Sequence, residues 1–266
     1  MLSSRYFRRT QCEASSSPPA IIGVFSAYRL DLPDDHTPFH RRAIEPQQIS
    51  FFRERAEELA KLVARYPDIS VEVYLTRGLS AESDFMLRLH STELDRMQRF
   101  LIEFQRKTYF GRKSRQTTSF IGVSKGLNYI SKDKVKNLNQ KLMEASYVAP
   151  LPPKYAIVIP IRKSSEWWAR SDDDRLKDMV QHTEATLIDI KNTNRRLYHA
   201  TGLTSDADFL TYFETADLAA FNSLCVKLMK VRENQYHVRW GAPVIVSTLQ
   251  PSLKSAFLTL TGADYT

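Results

Sequence analysis

The hydrophobic positions of this chain change period in a fixed order. From Ala20 to Tyr28, and again from Tyr155 to Ile161, they run almost without interruption, which predicts buried strands. From Ser50 to Tyr66 and from Asp172 to Ile190 they recur at helical spacing, with Ser171 or Asp172 placed to cap the second of these helices. An apolar strand follows each helix and ends at Gly78 or Gly202. A polar turn then leads to another strand, Phe85 to His90 or Phe209 to Thr215. A second amphipathic helix starts near Thr92 or Ala216. In the later copy Thr215 can cap it, and Asp217 puts negative charge in its first turn. Leu218, Phe221, Leu224, Cys225 and Leu228 form its apolar stripe. Closing strands follow at Thr118 to Val123 and at Tyr236 to Leu249, the latter broken near Gly241 to Pro243.

The order β-α-β-β-α-β therefore occurs twice, which is the ferredoxin-like pattern. The two copies align without a gap at a constant offset of 124 residues, YLTRGLSAESDF from Tyr74 lying over YHATGLTSDADF from Tyr198. Matching identity and polarity over a whole strand-turn-strand-helix unit points to duplication. Right-handed crossovers put both helices of each unit on one face of its sheet. Two such sheets could join or pack, leaving a cavity between a sheet and its helices. The expected organisation is a disordered tail (1–19), a first domain (20–124), a linker (125–153) with a short basic helix ended by Pro-rich sequence, and a second domain (154–266).

Composition changes this picture little. Hydrophobic residues make up 42% and charged residues 26% of the 266, an ordinary globular balance. The net charge of +8 is spread along the chain, with denser spots at Arg8-Arg9, Arg112-Lys113 and Lys132 to Lys141. That spread argues against a nucleic-acid stripe and fits an anionic substrate as well. Cys12 and Cys225 form no CxxC pair, so neither a thiolate zinc knot nor a CxxCH haem attachment is available. No stretch reaches transmembrane length and the N-terminus lacks the apolar region of a secretory signal. The expectation is a soluble protein without membrane insertion, cytoplasmic in preference to periplasmic.

The duplication also isolates candidate chemistry. At the common offset Glu58 stands opposite His182, so the fold itself does not demand a histidine there. His182 shares its helix with the inward-facing Leu176, Met179, Thr183, Leu187 and Ile190, and can point inward with them. A satisfied interior histidine and a metal ligand both remain open at that position. No HExxH occurs, His36 and His40 lie in a Pro-rich loop, and His199 and His237 lie in strands, which weakens any three-ligand zinc site. A porphyrin would need only one axial histidine. In IPIRKSSEWWARS, Trp167 and Trp168 either pack at a strand exit or cover a flat cofactor, and Lys163 is either a surface lysine or the partner of a carboxylate. In NRRLYHATG, Arg195 and Arg196 point to opposite faces of a strand.

These runs, with VRENQYHVRWGAP, resemble the chlorite dismutase family, particularly its longer, ring-forming members. The dense match runs from about Tyr155 to Leu249, and the first half is similar through its fold and repeat. The resemblance implies two ferredoxin-like domains whose sheets form a dimeric α+β barrel within one subunit, with haem b (iron protoporphyrin IX) in the second domain and none in the first. It implies His182 as iron ligand, Glu233 as the carboxylate on its other nitrogen, and Arg195 as the catalytic arginine across the haem. Lys163 and Trp167 would surround the propionates and plane, Trp168 would serve the ligand side and a subunit contact, and Leu197, Thr211 and Phe213 would line the arginine side. The implied activity converts chlorite, or a similar small anion, to chloride and dioxygen with O–O bond formation, in a homo-oligomer expected to be a pentamer. Coprohaem decarboxylases of the same superfamily carry a tyrosine in a YPM run where this chain has Ile159-Pro160-Ile161. Dye-decolourising peroxidases need an aspartate beside the arginine, which this sequence does not place near Arg195. A non-enzymatic haem sensor or carrier is disfavoured by the arginine. One departure from the family pattern is the TSDA turn, one residue longer than the usual one, where length tolerance is expected.

Overall fold

A computed structural model describes residues 20–31, 46–124, 152–186, 193–240 and 244–264. The tail (1–19), residues 125–151 of the linker, Cys12, His36, His40, Leu187, Ile190 and the Gly241 to Pro243 break lie outside the described residues.

The first repeat comprises β1 (Ile21–Leu30), α1 (Pro46–Ala64), β2 (Ser70–Leu75), β3 (Phe85–Ser91), α2 (Leu94–Lys107), a single turn α3 (Tyr109–Arg112) and β4 (Ser114–Ser124). The second comprises β5 (Tyr155–Lys163), α4 (Ser165–Ala169), α5 (Asp172–Thr186), β6 (Thr193–His199), β7 (Phe209–Thr215), α6 (Leu218–Leu228), a 3-10 turn (Arg232–Tyr236), β8 (His237–Trp240) and β9 (Ile245–Leu249). A last helix, α7 (Leu253–Thr261), follows. Among the described residues no helix is long and apolar enough to cross a membrane.

Each repeat makes an antiparallel sheet, β4-β1-β3-β2 in one and β6-β7-β5-β9 in the other. Their edges meet: β4 pairs with β6 at Val123–His199, and β2 pairs with β9 at Tyr74–Leu249 and Leu75–Thr248. The eight strands thus close into a barrel, the duplicated ferredoxin-like α+β barrel, while β8 adds to the outer part of β5. Closure removes the unpaired edges that would otherwise recruit other strands. At the β4–β6 seam the backbones come close. A Cβ on Gly23 would lie 2.4 Å from the Tyr198 ring, and one on Gly122 2.7 Å from Tyr198 Cβ. These paired glycines form the slot for that ring. Thr204 Oγ1 stitches the same seam, accepting from Ile121 N at 2.7 Å and donating to its carbonyl at 2.8 Å. The TSDA turn is thus bonded to the barrel wall through its first residue. Asp206 takes a left-handed φ of 61° there, as Asp tolerates better than most residues.

The helix starts show why local signals shift by a residue or two. Asp217, not Thr215, caps α6, its Oδ1 accepting from Ala219 N and Ala220 N at 2.9 and 3.0 Å. Thr215 Oγ1 instead receives Asp217 N and holds the approach. Leu218, expected in the buried stripe, is exposed, while Phe221, Leu224 and Leu228 are buried. Ser171 closes a reciprocal cap with Asp174 at the start of α5.

Helix α7 crosses back onto the first repeat. Phe257 sits with ring centroids 4.8 Å from Phe85 and 4.5 Å from Phe110, and Leu253, Ala256 and Leu260 are buried beside it. Burying such a phenylalanine contributes about 1.5–3 kcal/mol. With Phe52 and Phe104, these rings fill the space between sheet and helices in the first repeat.

Candidate functional site

In the second repeat the equivalent space is open. A cleft lies between the β5–β7–β6 face and helices α5 and α6, lined by apolar side chains with a few convergent polar groups, the make-up of a small-molecule or cofactor site. Strand alternation sends Arg195, Leu197, Thr211 and Phe213 into it, Arg195 opposite Phe213 and Leu197 opposite Thr211. Ile159, Phe221 and Leu224 make its walls largely apolar.

His182 enters from α5, on the same side as buried Met179 and Thr183. Its Nδ1 is 2.8 Å from Glu233 Oε2, so Nε2 is the ring nitrogen that remains for the cleft. Burial holds its pKa well below the usual histidine range, with Arg195, Lys163 and His237 acting in the same direction. The imidazole is therefore neutral at neutral pH, the state a metal ligand requires. Glu233, 5% exposed, comes from the 3-10 turn. Its Oε1 contacts the Lys163 ammonium and stands 3.4 Å from His237 Nε2. Lys163 lines the cleft, and Glu233 takes its ammonium, because a buried cation is costly without a buried counter-charge. Burial pushes Lys163 down to about 7, against the pull of Asp178 and Asp208. His237 is pushed down to about 3, first by burial and then by Lys163.

Trp167 does not touch the cleft in the way its neighbours do. It is fully buried behind Met179, with the Lys163 ammonium 4.4 Å from its ring centroid. Its indole Nε1 has no hydrogen-bond partner among the described residues. Trp168 stacks on Phe209, a cleft residue, at 6.0 Å between centroids. Sequence reasoning left out His237 and Asn234 as lining residues. His237 reads locally as a strand histidine, and its only signal is the four-residue spacing from Glu233. An Arg170–Asp178–Arg232 ion network was also illegible. It ties α5 to the 3-10 turn, with Arg170 Nη2 3.1 Å from Asp178. In the first repeat, the counterpart of His182 does different work: Glu58 binds Arg55 and accepts from Tyr109 N at 2.7 Å, holding α3.

Fold and cleft together define a duplicated ferredoxin-like barrel whose second repeat holds a carboxylate-backed histidine and an arginine in one cleft. The chlorite dismutase family matches residues 52–250. A chlorite dismutase of Ideonella dechloratans is 43% identical over 236 residues, 88% of this chain and 78% of that protein. A structure of the chlorite dismutase from Candidatus Nitrospira defluvii in complex with imidazole superposes with a TM-score of 0.76. The two are 33% identical, and the match covers 91% of this chain and 95% of that one. A coproheme decarboxylase of Mycolicibacterium smegmatis is 24% identical over 190 residues, 70% of this chain and 77% of that protein. The chain belongs to the chlorite dismutase family.

Proposed function

We propose that this protein is a haem b-dependent chlorite dismutase, converting chlorite to chloride and dioxygen, with His182 as the iron ligand and Arg195 as the catalytic residue. The observation that carries this reading is His182, backed by Glu233 at 2.8 Å, in one apolar cleft with Arg195. The residues fit a porphyrin. The apolar strand residues of the cleft suit a flat ring, and the His182 imidazole, held by Glu233, suits the iron. Trp168, Leu197, Thr211 and Phe213 complete the surround.

Haem iron, when bound, supplies the redox chemistry. The reaction ClO₂⁻ → Cl⁻ + O₂ balances without a proton, so no acid or base need act from the protein. Arg195 compensates the anion's charge and orients it by charge-assisted hydrogen bonds. The apolar walls keep bulk water out and strengthen that attraction. Arg195 also retains the oxychlorine fragment until both oxygens have joined. Glu233 receives the imidazole N–H and raises the basicity of His182, while Lys163 and His237 hold Glu233 in place.

The decarboxylase reading has no tyrosine to work with, since Ile159 and Ile161 line the cleft there. An oxygen electrode decides the main reading. Haem-loaded protein should release one O₂ per chlorite with no reductant present, and a requirement for added reductant or an absence of oxygen would overturn it. The resemblance also supports a homopentamer, which native mass spectrometry should report as five copies of 30.7 kDa. A stable dimer or monomer would remove that assignment.

A further inference from the structure

Strands β6 and β7 carry the arginine side of the cleft on one face only. Their alternate residues, Arg196, Tyr198, Tyr212 and Glu214, turn into the barrel. There they meet Arg88 of β3, which is 1% exposed. Arg88 Nη1 donates to Glu72 at 2.7 Å, to the Tyr74 hydroxyl at 3.1 Å and to Glu214 at 3.2 Å. Nη2 reaches the Tyr198 hydroxyl at 3.4 Å, and Nε donates to His90 Nε2 at 3.0 Å. The guanidinium lies 3.6 Å from the Tyr212 ring centroid. The Tyr212 hydroxyl in turn donates to Glu214 and meets the Tyr74 hydroxyl at 2.5 Å. Asn194 Nδ2 closes the far side on Glu214 at 3.3 Å.

Every main member of this cluster sits at a duplicated position. At the offset of 124, Glu72 corresponds to Arg196, Tyr74 to Tyr198, Arg88 to Tyr212 and His90 to Glu214. Identical copies would oppose like with like at the barrel axis. Apart from the shared tyrosine, Tyr74 and Tyr198, the copies have instead diverged, so that Arg88 of the first repeat answers Glu214 of the second as well as Glu72 of its own. A fully bonded buried network of this kind fixes geometry more than it adds stability. The first repeat, whose own cleft is filled with aromatic rings, thereby grips the back of the strands that carry Arg195.

We propose that Arg88 is a positioning residue for the cleft: it clamps the β6–β7 pair from inside the barrel and so holds Arg195 at one place over the site. The assignment of the anion to Arg195 rests on the proposed function, whereas the clamp on the strands does not. The test uses the full chain with Arg88→Met and Glu214→Gln combined, which removes both buried charges together. Phe104→Leu, in the core of the first repeat, serves as the control for general loosening. In cofactor-free protein, amide hydrogen exchange over 193–199 and 209–215 should quicken at least about tenfold in the double variant while 172–186 keeps its rate. In haem-loaded protein, fluoride affinity followed by optical titration should fall at least about fivefold, with no such change in Phe104→Leu. Arg88→Lys keeps the charge but gives up the separate Nε and Nη2 contacts to His90 and Tyr198, and should give a smaller change in the same direction. It also supplies the readout if the double variant fails to fold. Wild-type exchange over 193–199, or the same losses in Phe104→Leu, would overturn the clamp. Failure to take up haem would count against the proposed function alone, since the exchange measurement still decides the role of Arg88.

Discussion

Replacing His182 by alanine is expected to abolish stable haem retention while leaving the fold intact. On the proposed reading His182 is the protein's ligand to the iron, and loss of an outer hydrogen-bond partner alone costs about 10–100-fold in metal affinity. Loss of the ligand itself should cost at least the upper end of that range. The fold should survive because the charges behind His182 remain satisfied: Glu233 keeps Lys163 and His237, and Asp178 keeps Arg170 and Arg232. The variant should therefore melt within a few degrees of the wild type and lose its haem on a desalting column. Added imidazole, close in size to the deleted ring, should restore part of the Soret absorbance. Retention of haem at wild-type affinity by His182→Ala would remove the histidine from its assigned role.

The contrast between His182 and Glu233 shows where the sequence carries this site and where it does not. The inward direction of His182 follows from helical spacing beside Met179 and Thr183, and its distinctness follows from Glu58 at the duplicated position. Both are local or internal comparisons. Glu233 lies on a 3-10 turn in the polar run RENQY, where no periodicity marks an inward side chain. Only the family resemblance points to it. The partner of Lys163 was similarly hidden, because a buried ion pair across 70 residues leaves no pattern in either segment. Barrel closure is also long-range, resting on edge pairings between β4 and β6 and between β2 and β9. Helix α7 is a different case. Ser252 accepts from Ser255 N, Leu253, Ala256, Phe257 and Leu260 are buried, and Gly262 adopts a φ of 71°. Those start, stripe and stop signals are local and readable. The β-α-β-β-α-β grammar ends at β9, however, and gives no place to a helix that serves the other repeat.

Arg195→Gln is expected to keep the haem and lose most of the turnover. Strand alternation puts Arg195 in the cleft opposite Phe213, so glutamine at that position still faces the site. It can still donate a hydrogen bond but brings no charge. A hydrogen bond to a charged group is worth about 1.5–3 kcal/mol, so oxygen release should slow by about 10- to 100-fold. His182 should stay neutral: Arg195 helps to depress its pKa, but burial is the larger cause and is unchanged. The haem spectrum should accordingly report the same iron ligand. The more discriminating effect concerns where the chlorine goes. Without the guanidinium, nothing else among the predicted arginine-side residues Leu197, Thr211 and Phe213 carries a charge to hold an oxychlorine anion in the cleft. More of it should escape before the two oxygens join. An amine trap in the assay should therefore collect more chloramine per chlorite consumed than with wild type, and the variant should inactivate after fewer turnovers. A slower enzyme that still gave one O₂ per chlorite and no extra chloramine would mean that Arg195 helps the anion to enter but does not retain it. Unchanged turnover would mean that it does neither.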